Sequence, residues 1–189
     1  MKTATLTSKI GKHIKKTQSV EMWWTDDGQA EKNSILRAIS GGPIYVSDTL
    51  NRSRAEVLKP LIFDNGRILR CDNPAVPTKD CLTENPVSSG TISPKDIEGL
   101  YGEEFAVYEH FSKELKIMKA EECFELQLEN INEYKLYVIV PLKDGCGVIG
   151  RTDKFISPAT YSYNKSHKVE FVEDGPYAYV ENYKLILEE

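Results

Sequence analysis

The feature that most constrains this chain is a period-two alternation in its second half. Phe124, Leu126 and Leu128 alternate with Glu125, Gln127 and Glu129. A chain that turns about 180° per residue places alternate side chains on opposite faces, so this run predicts a strand with one dry and one wet face. Phe105-Ala106-Val107-Tyr108, Leu115-Lys116-Ile117-Met118 and Leu136-Tyr137-Val138-Ile139-Val140 read as further strands, as do Val169-Glu170-Phe171-Val172, Tyr177-Ala178-Tyr179-Val180 and the run from Tyr183 to Leu187. Glu173-Asp174-Gly175-Pro176 reads as a hairpin connection between two of them. Several short strands separated by turns predict an antiparallel β-sandwich. Residues 72–96 hold Pro and Ser with little periodicity and read as a long connection.

The first sixty residues differ in character. Ala30, Ile35, Leu36 and Ile39 recur at helical spacing. Thr25-Asp26-Asp27-Gly28 offers N-caps, and the Asp26 to Gln29 spacing resembles a capping box. Gly41-Gly42-Pro43 should stop the helix, because glycine accepts the left-handed cap conformation and proline cannot extend the hydrogen-bond ladder. Pro43-Ile44-Tyr45-Val46-Ser47 then reads as a short buried strand ending at Asp48. One helix and one or two strands are too few to close a fold. The β region, a partner or further chain must therefore pack on them. The division expected is 1–60 as an α/β unit with a basic N-terminal arm, and 61–189 as the β domain.

Composition narrows the function classes. Of 189 residues, 40% are hydrophobic and 28% charged, which suits a packed core. Net charge is −5, which argues against nucleic-acid or anionic-membrane partners for the molecule as a whole. Residues 1–20 carry Lys2, Lys9, Lys12, Lys15 and Lys16 and no acid, and read as a solvated arm. No apolar run is long enough for a secretory h-region or a membrane span. Cys71, Cys81, Cys123 and Cys146 lack ligand spacing and read as reduced core residues of a cytoplasmic protein. His13, His110 and His167 are equally scattered, so neither a metal nor another cofactor is expected.

Three segments, in order, resemble the raffinose synthase and seed-imbibition protein group of glycoside hydrolases, which includes alkaline α-galactosidases. They are Ala30-Glu31 with Arg37-Ala38-Ile39-Ser40-Gly41-Gly42-Pro43-Ile44-Tyr45-Val46-Ser47-Asp48; Gly66-Arg67-Ile68-Leu69-Arg70-Cys71 with Pro77-Thr78-Lys79-Asp80-Cys81-Leu82; and Asp96-Ile97-Glu98-Gly99-Leu100 with Glu104-Phe105-Ala106-Val107-Tyr108. The likeness runs from about residue 22 to 145 and more weakly beyond. It implies a C-terminal part of such a protein: the end of a (β/α)8 barrel followed by a β-sandwich.

The resemblance also implies a chemistry, transfer or hydrolysis of α-galactosyl groups with retention. That reaction needs two carboxyl groups across the scissile bond, a nucleophile and an acid/base. In the group both lie upstream of the matching segments, so no catalytic residue is expected in this chain. Thr25-Asp26-Asp27 looks like the acid/base motif, but its place in the order aligns it with a later segment. There the group carries an Asp-Trp-Asp-Met-like run, and this chain reads Ser19-Val20-Glu21-Met22-Trp23-Trp24, with both aspartates replaced.

Three residues are candidates for substrate binding. Asp48 ends the last barrel-like strand and can accept a sugar hydroxyl or serve as a turn aspartate. Trp23 and Trp24 can stack on a sugar ring or divide between core and surface. Tyr134, Tyr137, Tyr161, Tyr163, Tyr177, Tyr179 and Tyr183 form either a sugar-binding strip or half-buried strand positions. Two function classes follow. One is a carbohydrate-enzyme fragment inactive alone, with an α-galactoside as ligand and a separately encoded barrel part or a second copy as partner. The other is a non-catalytic β-sandwich module that binds carbohydrate or protein.

Overall fold

The computed structural model describes residues 22–71, 75, 89–130 and 132–189. The basic arm, Ser19 and Glu21, and Pro77-Thr78-Lys79-Asp80-Cys81-Leu82 of the second motif lie outside the described residues.

Helix α1 (Ala30–Ser40) forms where the apolar spacing places it, burying Ala30, Ile35, Ala38 and Ile39. It stops at Gly41, which takes a left-handed cap at φ 67°. Its start differs from expectation. The N-cap is Gln29, with no side-chain cap, and Asp26 closes no capping box. The chain makes a separate turn first: the Ala30 amide donates to the Asp27 carbonyl at 3.1 Å, and the Gln29 amide to Asp27 Oδ1 at 2.9 Å. Asp26 therefore sits one turn too early to reach the helix. The strand expected over 43–47 reduces to one parallel bridge, Trp23 with Val46, reinforced by the Ser47 amide donating to the Trp23 carbonyl at 2.9 Å. Pro43 has no N–H to offer, and the opposite segment turns away at Thr25. A short helix α2 (Ala55–Leu58) runs into a 3-10 turn at Lys59–Leu61.

The rest is antiparallel β, and all seven strands expected from the sequence are present. The strands are β1 (Ser89–Ile92), β2 (Glu104–Glu109), β3 (Leu115–Lys119), β4 (Phe124–Gln127), β5 (Tyr137–Leu142), β6 (Gly147–Arg151), β7 (Tyr161–Tyr163), β8 (Val169–Phe171), β9 (Tyr177–Glu181) and β10 (Lys184–Glu188). They form two three-stranded sheets, β3-β2-β5 and β10-β9-β6, and two pairs, β1-β4 and β7-β8. The sheet β3-β2-β5 is covered on both faces. Phe105, Val107, Met118, Tyr137 and Ile139 meet Ile92 and Leu126 of the β1-β4 pair. Ala106, Tyr108, Val138 and Val140 meet Ile149, Ala178 and Val180 of the other three-stranded sheet. Alternation along β2 and β5 feeds two cores at once, so both strands read as continuously apolar. Phe124, Leu126 and Leu128 all face the first core, as their period predicted.

Three expectations are corrected. Residues 173–176 do not connect a hairpin: β8 pairs with β7, while β9 pairs with β10 and β6. The stretch 72–96 is not all connection, since it contains β1 and a 3-10 turn at Pro94–Asp96. The cysteines are not all in the core. Cys123 lies exposed in the β3–β4 turn and Cys146 exposed in the β5–β6 turn.

The helical unit rests on the β region. Ile35, Ala38, Ile39, Leu61, Phe63 and Leu69 form one core with Leu136, Phe155 and Ile156. Tyr134 adds a polar tie from its hydroxyl to Glu31 of α1. The β region is thus what covers the helix, one of the solutions the sequence required.

His110 lies at this junction, 5% exposed, edge-on to Phe111 at 5.0 Å and Phe155 at 5.6 Å. Burial, helped by nearby Lys113, pushes its pKa down from 6.5 to about 4, against a smaller opposing pull from Asp153. The unfolded chain takes up this proton near pH 6.5, but the folded chain refuses it until about pH 4. The contribution is complete above pH 6.5 and lost as pH falls. Acidification across that window should cost up to about 3 kcal/mol at this residue. Urea unfolding of the native chain and of His110→Gln across the window measures it. The variant should show the shallower slope, and equal slopes would remove His110 from the account.

Candidate functional site

The parallel bridge gives the helical unit a polarity. Trp23 and Val46 run side by side, and at their C-terminal ends the chain reaches Thr25 and Asp48 together. The Thr25 amide donates to Asp48 Oδ1 at 2.6 Å and the Thr25 hydroxyl to Asp48 Oδ2 at 2.8 Å. Thr25 Oγ1 in turn accepts from the Arg54 amide at 2.7 Å. Asp48 is thus a latch that ties two parallel segments to the chain leading into α2. Lost hydration works against its charge. The amide and hydroxyl of Thr25 and the hydroxyl of Ser53 outweigh that and hold its pKa below the ordinary aspartate range.

The two tryptophans divide. Trp23 is buried with Ala30 and Val57, and the Arg37 guanidinium lies 4.9 Å from its ring centroid. Burial pulls Arg37 below its ordinary value, and the electron-rich indole face offsets part of that cost. Trp24 is 59% exposed beside the latch. The three substrate candidates therefore converge on one end of the unit, with Trp23 turned inward and Trp24 outward. Met22, Tyr45 and Val46 leave further apolar surface exposed there.

The described acids of this end each have a partner. Asp48 serves Thr25, Asp27 serves Gln29, and Asp26 lies 3.9 Å from Arg52 on the surface. Among the described residues, no group of three or more His, Cys, Asp or Glu is placed to hold a metal ion. No helix among them is long and apolar enough to cross a membrane.

Sequence reasoning missed the strongest charge cluster. Arg151, 5% exposed, donates from Nε to Asp153 Oδ1 at 2.9 Å, from Nη2 to Asp153 Oδ2 at 2.7 Å and from Nη1 to Glu173 Oε1 at 2.7 Å. Burial opposes its charge, but the two carboxylates raise its pKa on balance. Lys154, also buried, donates to the carbonyls of Lys59 at 3.0 Å and Ile62 at 2.7 Å, and Glu173 Oε2 accepts the Asp64 amide at 2.9 Å. The cluster clamps the segment after α2 to the β region. Its one sequence signal is Arg151-Thr152-Asp153-Lys154 set between apolar runs. Both carboxylates face a shared guanidinium, which suits a structural clamp and not a pair flanking a sugar.

The seven tyrosines separate into groups. Tyr137 is in the core against Phe124, Tyr134 packs on Phe111, and Tyr183 donates to Glu104 at 2.9 Å. Tyr161, Tyr163, Tyr177 and Tyr179 come together with Phe171.

Comparison with known proteins covers the first two motifs and the start of the third. Residues 10–98 match the family model described as raffinose synthase or seed imbibition protein Sip1. A galactinol–sucrose galactosyltransferase of Pisum sativum is 30% identical over 168 aligned positions, covering 60% of this chain and 21% of that protein. A probable galactinol–sucrose galactosyltransferase 5 of Arabidopsis thaliana is 49% identical over 61 positions, 32% of this chain and 8% of that protein. A stachyose synthase of Pisum sativum is 39% identical over 71 positions, 38% of this chain and 8% of that protein. The chain spans about a fifth or less of the length of these relatives. Through residues 10–98 and the motifs within them, this chain is a relative, over part of its length, of the raffinose synthase and seed imbibition protein group.

Proposed function

We propose that the chain corresponds to the end of a galactosyl-handling (β/α)8 barrel and its following β-sandwich, and that it performs no galactosyl chemistry alone. The observation that carries this reading is the occupied latch. Asp48 stands at the C-terminal end of a parallel segment, where barrel enzymes keep their sites, yet both of its oxygens are held by Thr25. A retaining mechanism needs a nucleophile and an acid/base facing one sugar. Of the described acids near the latch, Asp27 is committed to a turn and Asp26 lies at the surface beside Arg52. Trp24, exposed beside the latch, would stack on an α-galactoside, between buried Trp23 and the Thr25–Asp48 contact. The exposed apolar rim of Met22, Tyr45 and Val46 is what further barrel strands, encoded separately, or a second copy would cover. The exposed free thiols Cys123 and Cys146 suit a reducing, cytoplasmic setting.

Incubating the purified chain with galactinol plus sucrose, and with raffinose plus water, tests this. Neither transfer product nor free galactose should appear above a buffer control. Turnover abolished by Asp26→Asn or Asp48→Asn, with stability kept, would overturn it. Size-exclusion chromatography reads the rim: a monodisperse monomer at every concentration would remove self-association.

A further inference from the structure

The outer face of the β6–β9 pair holds a groove that neither the barrel-like end nor the charge clamp uses. Ala178 and Val180 of β9 point into the sandwich core, so Tyr177 and Tyr179 must point outward. The β7-β8 pair rises beside them and contributes Val169 and Phe171 as a wall. Val148 of β6 and Cys146 of the preceding turn complete the floor and rim. The groove is open to solvent and offers about 450 Å³, a volume in the usual range for small-ligand sites.

The lining has a definite chemistry. Phe171 and Tyr177 lie 4.6 Å apart between centroids, and Tyr177 and Tyr179 lie 6.1 Å apart with ring planes only 25° from parallel. Together they make a contiguous aromatic cluster, with Phe171 tilted 41° to Tyr177. Tyr177 and Tyr179 each bring a hydroxyl, and Glu181 brings an exposed carboxylate. None of the described lining residues is Lys, Arg or His, which leaves nothing to attract phosphate, nucleotide or a sugar acid. A ligand that suits this lining is uncharged, offers an apolar face to rings, and carries hydroxyls around its edge. Tyr177 and Tyr179 stand on β9, which pairs with β6 on one side and β10 on the other, so these two rings sit on a sheet face.

We propose that this groove is a binding site for neutral pyranosides, stacked on Tyr177, Tyr179 and Phe171 and hydrogen-bonded at its rim. The proposal stands on the groove alone, and a chain without galactosyl chemistry would bind equally well.

Cys146 makes the test direct, because it is an exposed thiol in the lining, while exposed Cys123 lies in the β3–β4 turn, outside the lining, and serves as an internal control. The rate of maleimide addition at each thiol is followed by peptide mass spectrometry during a raffinose titration. Cys146 should slow about tenfold near saturation, with half-protection at ~millimolar raffinose, and Cys123 should not change. Glycerol and glucose 6-phosphate at equal concentration should protect neither. Tyr179→Ala should abolish protection, and Tyr179→Phe, which keeps the ring and guards against a folding defect, should retain most of it. An unprotected Cys146, or equal protection in Tyr179→Ala, would overturn the proposal. So would a Cys146 rate that falls with protein concentration without sugar, since that would make the groove an interface between copies.

Discussion

Replacing Gly150 with alanine is expected to destabilise the chain by about 4 kcal/mol, at the upper end of what single substitutions do. Gly150 has φ +107°, a backbone conformation that side-chain-bearing residues rarely adopt. It also sits where the β6–β9 register shifts between Val148 and Gly150. A Cβ built there would lie 2.0 Å from the Ser157 carbonyl oxygen and 2.6 Å from its carbonyl carbon. Both are backbone atoms, so no rotamer change relieves the clash. The backbone they belong to is pinned as well. The Thr160 hydroxyl donates to the Ser157 carbonyl at 2.6 Å and accepts the Arg151 amide at 3.0 Å. Adding one methyl group therefore forces the 3-10 turn at Ser157–Thr160 off β6. Urea unfolding measures the loss, and a cost under about 1 kcal/mol would mean the turn is far more yielding than described.

Replacing Arg151 with alanine should cost about 3–5 kcal/mol, because it strands carboxylates built around a guanidinium. Glu173 keeps only 16% of its side chain exposed, and Asp153 38%. Gly175 backs onto the same group, since a Cβ there would fall 2.4 Å from Arg151 Nη2. A smaller side chain at 151 thus leaves a void as well as unpaired charge. Arg151→Lys should fall between the two, keeping the charge but losing the two-pronged contact with Asp153. Thermal unfolding of the three proteins gives the order. A variant as stable as the parent would show that the clamp adds nothing to the joint between helical unit and β region.

The parts legible in the sequence are those decided by local chemistry. Helix α1 follows from apolar spacing and from Gly41-Gly42-Pro43. Strands β2 to β5 follow from alternation and from apolar runs. The division of Trp23 and Trp24 between inside and outside follows from their being neighbours on an extended segment. What escaped depends on distant partners. β6 is hidden because Gly147-Val148-Ile149-Gly150 reads as turn, and its glycines serve a register shift and a close approach. β1 is hidden because Ser89-Gly90-Thr91-Ile92 has one apolar residue, and only pairing with β4 makes it a strand. Glu173-Asp174-Gly175-Pro176 is a turn by composition, but composition does not say which strands a turn joins. Gly175 there also yields space to Arg151. The clamp itself joins Asp64 to Glu173 across 109 positions, a distance at which no spacing rule operates.

The candidate site divides the same way. The convergence of Trp23, Trp24 and Asp48 follows from a helix that returns the chain parallel to itself. The partner that occupies Asp48 is Thr25, 23 residues earlier. It was legible as a possible cap and not as a latch. Four of the seven tyrosines share a surface because β7-β8 folds against β9, an arrangement that the misread turn had concealed.

Under the proposed function, no described carboxylate of this chain is poised to attack an α-galactoside. A retaining enzyme forms a covalent glycosyl intermediate on its nucleophile, and a 5-fluoro-α-galactosyl fluoride, with fluoride as the leaving group and a ring fluorine that slows hydrolysis of the intermediate, traps that species. Intact-mass analysis of the chain after incubation with this reagent should show the unmodified mass alone. A stoichiometric fluorogalactosyl adduct mapped to any aspartate or glutamate would contradict this.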